Sequence, residues 1–282
     1  MMNKKILITG GAGFVGSNLG KRLYFLGYSV VSIDNYSTGS ENNHIEGIEY
    51  IKEDIISNID YNTYGKFDAI VHCAAKARIK QSFIDDKEYF HTNILGTYNI
   101  TKYAAQNCIP IVYIGTSSHH SGKFSNPYTF TKDVGEDIIR LYQQNFSLLA
   151  SIARLYNVYG PNELMDDNGT LIGKWKYNYK NNLPFIIYGD GSKRRDFTHV
   201  DDVSEAIVKI ITNSKYGFEF ELGRGQNYSI SEVANMFQYN NIIYKPDLVG
   251  EAITTLADNN ETKTILNWNP KNNLSEYIES IK

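Results

Sequence analysis

The feature that most constrains this chain is a cluster of glycines set between an apolar strand and an amphipathic helix. Lys5–Thr9 (KILIT) runs into Gly10-Gly-Ala-Gly-Phe-Val-Gly16. The stretch Phe14–Leu26 then places Val15, Leu19, Leu23 and Leu26 on one face before Gly27 stops it. The glycines satisfy both G-x-G-x-x-G (Gly11, Gly13, Gly16) and G-x-x-G-x-x-G (Gly10, Gly13, Gly16). One glycine permits the tight turn, one lets backbone N–H groups approach a pyrophosphate, and one lets the helix pack close to the sheet. The helix N-terminus then faces the anionic diphosphate. Asp34 ends the next strand about 18 residues on, where a carboxylate can accept hydrogen bonds from an adenosine ribose. The residues after it are Asn35, Tyr36 and Ser37, with no arginine to receive a 2′-phosphate, so NAD is expected over NADP. The bland alternative is a glycine-rich turn with a surface aspartate.

The rest of the first half keeps the same rhythm. Ser29–Ile33, Ala69–Cys73, Ile111–Ile114 and Leu149–Ala153 read as buried strands, and Glu88–Asn107 and Pro127–Asn145 as strong helices. Such alternation predicts right-handed βαβ units: a Rossmann-type, doubly wound parallel α/β sheet covered on both faces. After about Gly160 the pattern weakens into polar loops, then gives a clean helix at Val203–Thr212 and a mixture of short strands and helices that ends in an amphipathic helix near Leu274–Ile281. A smaller, irregular second domain is expected there.

Composition removes several classes. Net charge is −3 and the pI about 6.1, which argues against a nucleic-acid or anionic-membrane partner. No apolar run approaches the roughly 20 residues that span a bilayer. The first residues lack the apolar core and cleavage site of a signal peptide. Two cysteines, Cys73 and Cys108, are too few for a disulfide framework, so a cytoplasmic setting is expected.

Asn126-Pro-Tyr-Thr-Phe-Thr-Lys132 starts a helix, with Asn126 as N-cap and Pro127 at the first position. Tyr128 and Lys132, four apart, share a face. A free tyrosine, with a pKa of about 10, is a poor base at neutral pH. A nearby ammonium and the positive nicotinamide of an oxidised cofactor would favour its phenolate. Tyr128 could then remove a hydroxyl proton while hydride leaves the same carbon. Upstream, Ile114-Gly-Thr-Ser-Ser-His-His120 follows a buried strand, where open α/β sheets bind ligands. Ser117 is expected against the substrate hydroxyl as a proton relay; the alternative is a solvated Ser/Thr loop. His119 and His120 are adjacent and face different ways, so no metal site is expected.

Together these residues resemble the extended short-chain dehydrogenase/reductase superfamily, within it the NAD-dependent sugar-nucleotide epimerase/dehydratase family, and most of all its UDP-glucose 4-epimerase-like members. The resemblance is carried by Thr9–Gly16, Asp34–Gly39 (DNYSTG), Asp54-Ile55, His72–Ala75 (HCAA), Asn93 with Gly96-Thr97, Thr116–Ser118, Tyr128 with Lys132, Arg154–Pro161 (RLYNVYGP), Tyr188–Asp202 and Trp268-Asn-Pro270. It implies that Gly10, Gly13, Phe14, Val15, Gly16, Asp34, Asn35, Ser37, Thr38, Gly39, Asp54, Ile55, Ala74, Ala75, Lys76, Asn93, Tyr128 and Lys132 line the NAD site. It implies a catalytic set of Ser117, Tyr128 and Lys132. Ser117, Ser118, Asn157 and Arg195 would hold the nucleotide-sugar substrate, arginine being suited to forked contacts with phosphate. By the same resemblance, residues 1–158 form the NAD-binding domain with 196–216 packing back on it. Residues 159–195 and 217–282 form the substrate-binding domain, and the helices at 88–107 and 127–145 a homodimer seam.

Three departures shape the expectation. Ser118 and His119 stand where dehydratases carry an acid pair, and decarboxylating relatives keep a glutamate at the His119 position. Only about 11 residues separate Ser117 from Tyr128, so the mouth of the site could be more open. Near Lys245–Glu251 an arginine beside the substrate phosphates is missing, leaving Lys245 or Arg194 as a point charge or a weaker grip on the diphosphate. The expected activity is epimerisation of a UDP-hexose at C4 through a 4-keto intermediate. The alternatives are a nucleotide-sugar dehydratase or net oxidoreductase, and a non-catalytic NAD-binding regulator.

Overall fold

The computed structural model describes residues 4–166 and 169–282. The first strands are β1 (Lys5–Thr9), β2 (Ser29–Asp34), β3 (Glu49–Lys52), β4 (Ala69–His72), β5 (Ile111–Thr116) and β6 (Ala150–Leu155). Downstream come β7 (Val158–Tyr159), β8 (Phe185–Tyr188), β9 (Arg194–Asp196), β10 (Thr198–His199), β11 (Glu219–Leu222), β12 (Asn227–Ser229) and β13 (Ile242–Lys245). The helices are α1 (Phe14–Phe25), α2 (Ile79–Ser82), α3 (Asp86–Phe90), α4 (Thr97–Gln106), α5 (Pro127–Phe146), α6 (Leu171–Lys180), α7 (Val200–Thr212), α8 (Ile230–Met236), α9 (Asn260–Leu266) and α10 (Leu274–Ile281).

Seven strands form one sheet in the order β11-β6-β5-β4-β1-β2-β3, every neighbouring pair parallel. The order reverses between β1 and β4, which opens a crevice at the carboxyl ends of those strands. Successive side chains of a strand point to opposite faces. In β1, Ile6 and Ile8 enter a core with Leu19, Leu23, Val203 and Trp268, while Leu7 enters another with Val31, Ile100 and Ile139. Both faces are therefore covered, as the β-branched, uninterrupted strands require. A third core (Trp175, Phe185, Phe237, Ile278) belongs to the smaller lobe, where β8 pairs with β13 and β9 with β12.

Three expectations change here. Glu219–Leu222, placed with the smaller domain by sequence, is the seventh strand of the large sheet, paired with β6. Leu266 and Trp268 likewise join the sheet's core. The helix expected over 88–107 runs as α3, a wider π turn at His91–Gly96, and α4. The strand expected to end at Ile114 continues to Thr116, because Gly115 and Thr116 still pair with Arg154 and Leu155.

Candidate active site

The glycine turn is built as the sequence demands. Gly10 has φ +72°, and a Cβ there would lie 2.7 Å from the Ala74 nitrogen. A Cβ at Gly16 would lie 2.2 Å from the Gly10 carbonyl oxygen. The turn thus packs against the end of β4 with no room for side chains. Asp34 Oδ2 accepts from the Ala12 N–H at 3.0 Å and Oδ1 from the Tyr36 N–H at 2.8 Å. Burial pushes the Asp34 carboxyl up, and these backbone donors pull it back. Asn35 donates to Asp54 Oδ2 at 2.8 Å, and the two carboxylates, Asp34 and Asp54, both line the groove where the resemblance places the adenosine. A 2′-phosphate would meet both.

Tyr128 and Lys132 rise from the first turns of α5. Asn126 Oδ1 caps this helix by accepting from the Thr129 N–H at 2.8 Å, and Pro127 occupies the first position. The buried Lys132 ammonium lies 4.1 Å from the Tyr113 ring centroid and makes no hydrogen bond among the described residues. Burial lowers it to about 8, against the pull of Glu136, Cys73 and Asp133. The expected phenolate is not a property of the chain alone. Burial pushes the Tyr128 phenol above its ordinary value, and the Thr116 hydroxyl and the Arg78 charge pull it back only in part.

These elements open into one cavity of about 970 Å³ running from the glycine turn, past the end of β5, to the smaller lobe. Of the residues nominated from sequence, Gly10, Gly13, Phe14, Val15, Gly16, Asp34, Asn35, Ser37, Thr38, Asp54, Ile55, Ala74, Ala75, Lys76, Ser117, Ser118, Tyr128, Lys132, Asn157 and Arg195 all line it. Gly39 and Asn93 do not. Gly39 sits against Asp34, where a Cβ would come within 2.9 Å of Oδ1. Asn93 stands behind the wall: Oδ1 accepts from the Lys76 N–H at 2.8 Å, and Nδ2 donates to the Lys76 carbonyl and to Thr131 Oγ1, each at 3.0 Å. Asn157 donates to the Asp196 carbonyl and to Thr255 Oγ1, both at 3.1 Å.

Sequence reasoning missed Thr116 and Arg78. Thr116 is the last residue of β5 and lines the cavity together with Tyr128, whereas Ser117 already begins the following turn (Ser117–Ser121). The backbone of Arg78 is held by Tyr89, whose hydroxyl donates to its carbonyl at 2.7 Å. The missing signal was strand length: a glycine and three hydroxyls look like a turn unless the pairing with β6 is known.

The two candidate point charges, Lys245 and Arg194, do not line the cavity; Lys193 and Arg195 do. Asn126 Nδ2 donates to the Gly250 carbonyl at 3.1 Å, drawing the segment before Glu251 across the short Ser117–Tyr128 loop. His119 Nδ1 lies 2.9 Å from Asp133 and 3.8 Å from Glu136, a cluster of metal-ligand types. Glu136 is also paired with Arg154 at 2.7 Å and Arg140 at 2.8 Å, so its charge is already compensated.

The residues fit a dinucleotide: a turn with no room for Cβ atoms, a carboxylate at the end of β2, and a buried ammonium in the cavity wall with no hydrogen bond among the described residues. The chain belongs to the NAD dependent epimerase/dehydratase family, whose model matches residues 6–223. It is 28% identical over 301 residues to a UDP-glucose 4-epimerase of Mycolicibacterium smegmatis, covering 97% of this chain and 96% of that protein. It is 27% identical over 301 residues to UDP-glucuronic acid decarboxylase 1 of Arabidopsis thaliana, covering 97% of this chain and 68% of the relative. Among solved structures, a UDP-glucuronic acid 4-epimerase from Bacillus cereus, in complex with UDP-glucuronic acid and NAD, superposes with a TM-score of 0.90. That likeness has 28% identity and covers 98% of this chain and 96% of that one.

Proposed function

We propose that this chain is an NAD-dependent epimerase of a nucleotide-activated sugar, acting at C4 of a UDP-hexose. The observation that carries the reading is that Tyr128 and Lys132 face the same cavity as the glycine turn. Bound NAD supplies a hydride acceptor that later returns the hydride, and a positive ring that favours the phenolate. Gly10, Gly13, Gly16, Asp34 and the Lys76 loop hold the dinucleotide, and Lys132 its nicotinamide ribose. Tyr128 Oη takes the proton of the sugar hydroxyl and gives it back, with Thr116 or Ser117 as relay. Ser118 and His119 offer no acid for dehydration, and the position of the decarboxylases' glutamate is a histidine. The epimerase reading therefore stands ahead of dehydratase, oxidoreductase and non-catalytic regulator.

Residues around the smaller core (Trp175, Phe185, Phe237) form the substrate lobe in this reading, and a homodimer packs through α4 and α5. Leu95, Tyr98, Leu141 and Phe146, all exposed on these helices and the π turn, support that seam. A reducing, cytoplasmic setting goes with it, since Cys73 and Cys108 are free thiols.

The test is conversion of UDP-galactose to UDP-glucose, followed by NMR, with no NAD added. Interconversion without NADH or keto product is the expected result. Accumulation of either product, or binding of NAD with no turnover of any nucleotide sugar, would reject it.

A further inference from the structure

Lys193-Arg194-Arg195 places three cations in a row at the start of β9. Alternation along a strand separates them. Arg194 turns away from the cavity: it donates to the Asn227 side-chain oxygen at 2.9 Å and lies 3.1 Å from Glu232. Lys193 and Arg195, two apart, both line the cavity and are largely covered, with side chains 13% and 12% exposed. Both aim at one atom, Glu251 Oε2, at 3.7 Å from Lys193 Nζ and 3.3 Å from Arg195 Nη2. Lys193 also pairs with Asp247. The two acids belong to one segment, and Leu248 between them lines the same cavity.

The charges balance in a telling way. Lys193 and Arg195 carry +2, and Asp247 and Glu251 carry −2. The diphosphate bridge of a nucleotide sugar also carries −2, on oxygens suited to a guanidinium and an ammonium. We infer that Lys193 joins Arg195, which the resemblance already assigns to the substrate diphosphate, as the second cation of a clamp on those phosphates, and that Glu251 is the internal anion they displace. Lys193 thereby supplies the clamp's second cation within the cavity, which the Lys245–Glu251 segment, without an arginine and with Lys245 outside the cavity lining, does not. Exchange of one anion for another leaves neither cation buried without a partner at any stage, which avoids the cost of an uncompensated charge. Asp247, 56% exposed, returns readily to water. The inference rests on the nucleotide-sugar reading above and names which side chains hold its phosphates.

Calorimetric titration of the full chain with UDP tests it, with uridine as the phosphate-free control. Lys193→Ala should weaken UDP roughly tenfold, the scale of one charge-assisted contact, and Lys193→Gln nearly as much. Glu251→Gln should tighten UDP several-fold by removing the competing carboxylate. Arg194→Ala should bind UDP like the wild type, and uridine affinity should be the same in all four variants, which also reports an intact fold. Wild-type UDP affinity in Lys193→Ala, weaker UDP binding in Glu251→Gln, or an equal loss in Arg194→Ala would each overturn the clamp and leave the epimerase reading standing. A wild-type chain that binds UDP no better than uridine would overturn both.

Discussion

Asn93 grips Lys76 from both sides, accepting its N–H at 2.8 Å and donating to its carbonyl at 3.0 Å, from within the π turn that interrupts the helix after α3. The same amide donates to Thr131 of α5 at 3.0 Å. One buried side chain therefore joins the loop after β4 to the helix bearing Tyr128. Asn93→Ala leaves several buried polar groups unpaired, at about 1–3 kcal/mol for each group so exposed to loss. We expect a lower urea midpoint and loss of co-purifying NAD; an unchanged midpoint would show that the three bonds carry no weight.

Tyr128→Phe removes only the phenol oxygen. Epimerisation should fall roughly a hundredfold to ten-thousandfold, the range of general acid–base catalysis, with NAD content unchanged. Comparing Thr116→Val with Ser117→Ala assigns the relay. The larger kcat loss is expected at Thr116, which ends β5 beside Tyr128 in the cavity wall; a larger loss in Ser117→Ala would assign the relay to Ser117 instead.

Two glycines of α1 should respond in opposite ways to a methyl group. Gly16→Ala drives a Cβ to 2.2 Å from the Gly10 carbonyl, which costs about 1–3 kcal/mol and opens the turn, so NAD binding should be lost. Gly20→Ala meets nothing nearer than 3.5 Å and should stabilise the helix by roughly 0.5–1 kcal/mol. Thermal unfolding of both, with and without NAD, checks the contrast.

Lys132 gives a pH signature in the nucleotide-stripped protein. Its folded value is lowered to about 8, while an unfolded lysine titrates near 10.4. Between these values the unfolded chain holds a proton the folded one has released, so stability attributable to Lys132 rises with pH across that window. Below about pH 8 both states are protonated and the slope vanishes. Lys132→Met should abolish this rise in urea midpoints measured from pH 7 to 10; equal slopes in the two proteins would contradict it.

The α4–α5 seam predicts a particle of twice 32.1 kDa in sedimentation. Changing Leu95 and Leu141 together to Glu, both on the exposed face, should yield monomers. A wild-type chain sedimenting as a monomer would remove the proposed dimer.

Where the sequence was legible, local rules and the fold agree. The strand–glycine–helix start, Asp34 at the end of β2, and the Asn126 cap with Pro127 need only neighbours a few residues away. What escaped depends on distant partners. Glu49–Lys52 is an edge strand, half-exposed and polar at both ends, with no apolar run to announce it. Glu219–Leu222 shows two acids, yet they face Arg154 and Arg140, ion pairs that sequence spacing does not reveal. The split of Lys193 and Arg195 from Arg194 needed the strand register. Thr116 needed the length of its pairing with β6.

The bond between Asn126 and Gly250 has a mechanical corollary. Asn126 anchors the first turn of α5 with one end of its amide and the segment after β13 with the other. A pull on that segment from a group seated some distance away is thus delivered to the base of the tyrosine's own helix. Within the proposed epimerase, recognition at the remote end of a long ligand and alignment at its reacting carbon would share a single strut.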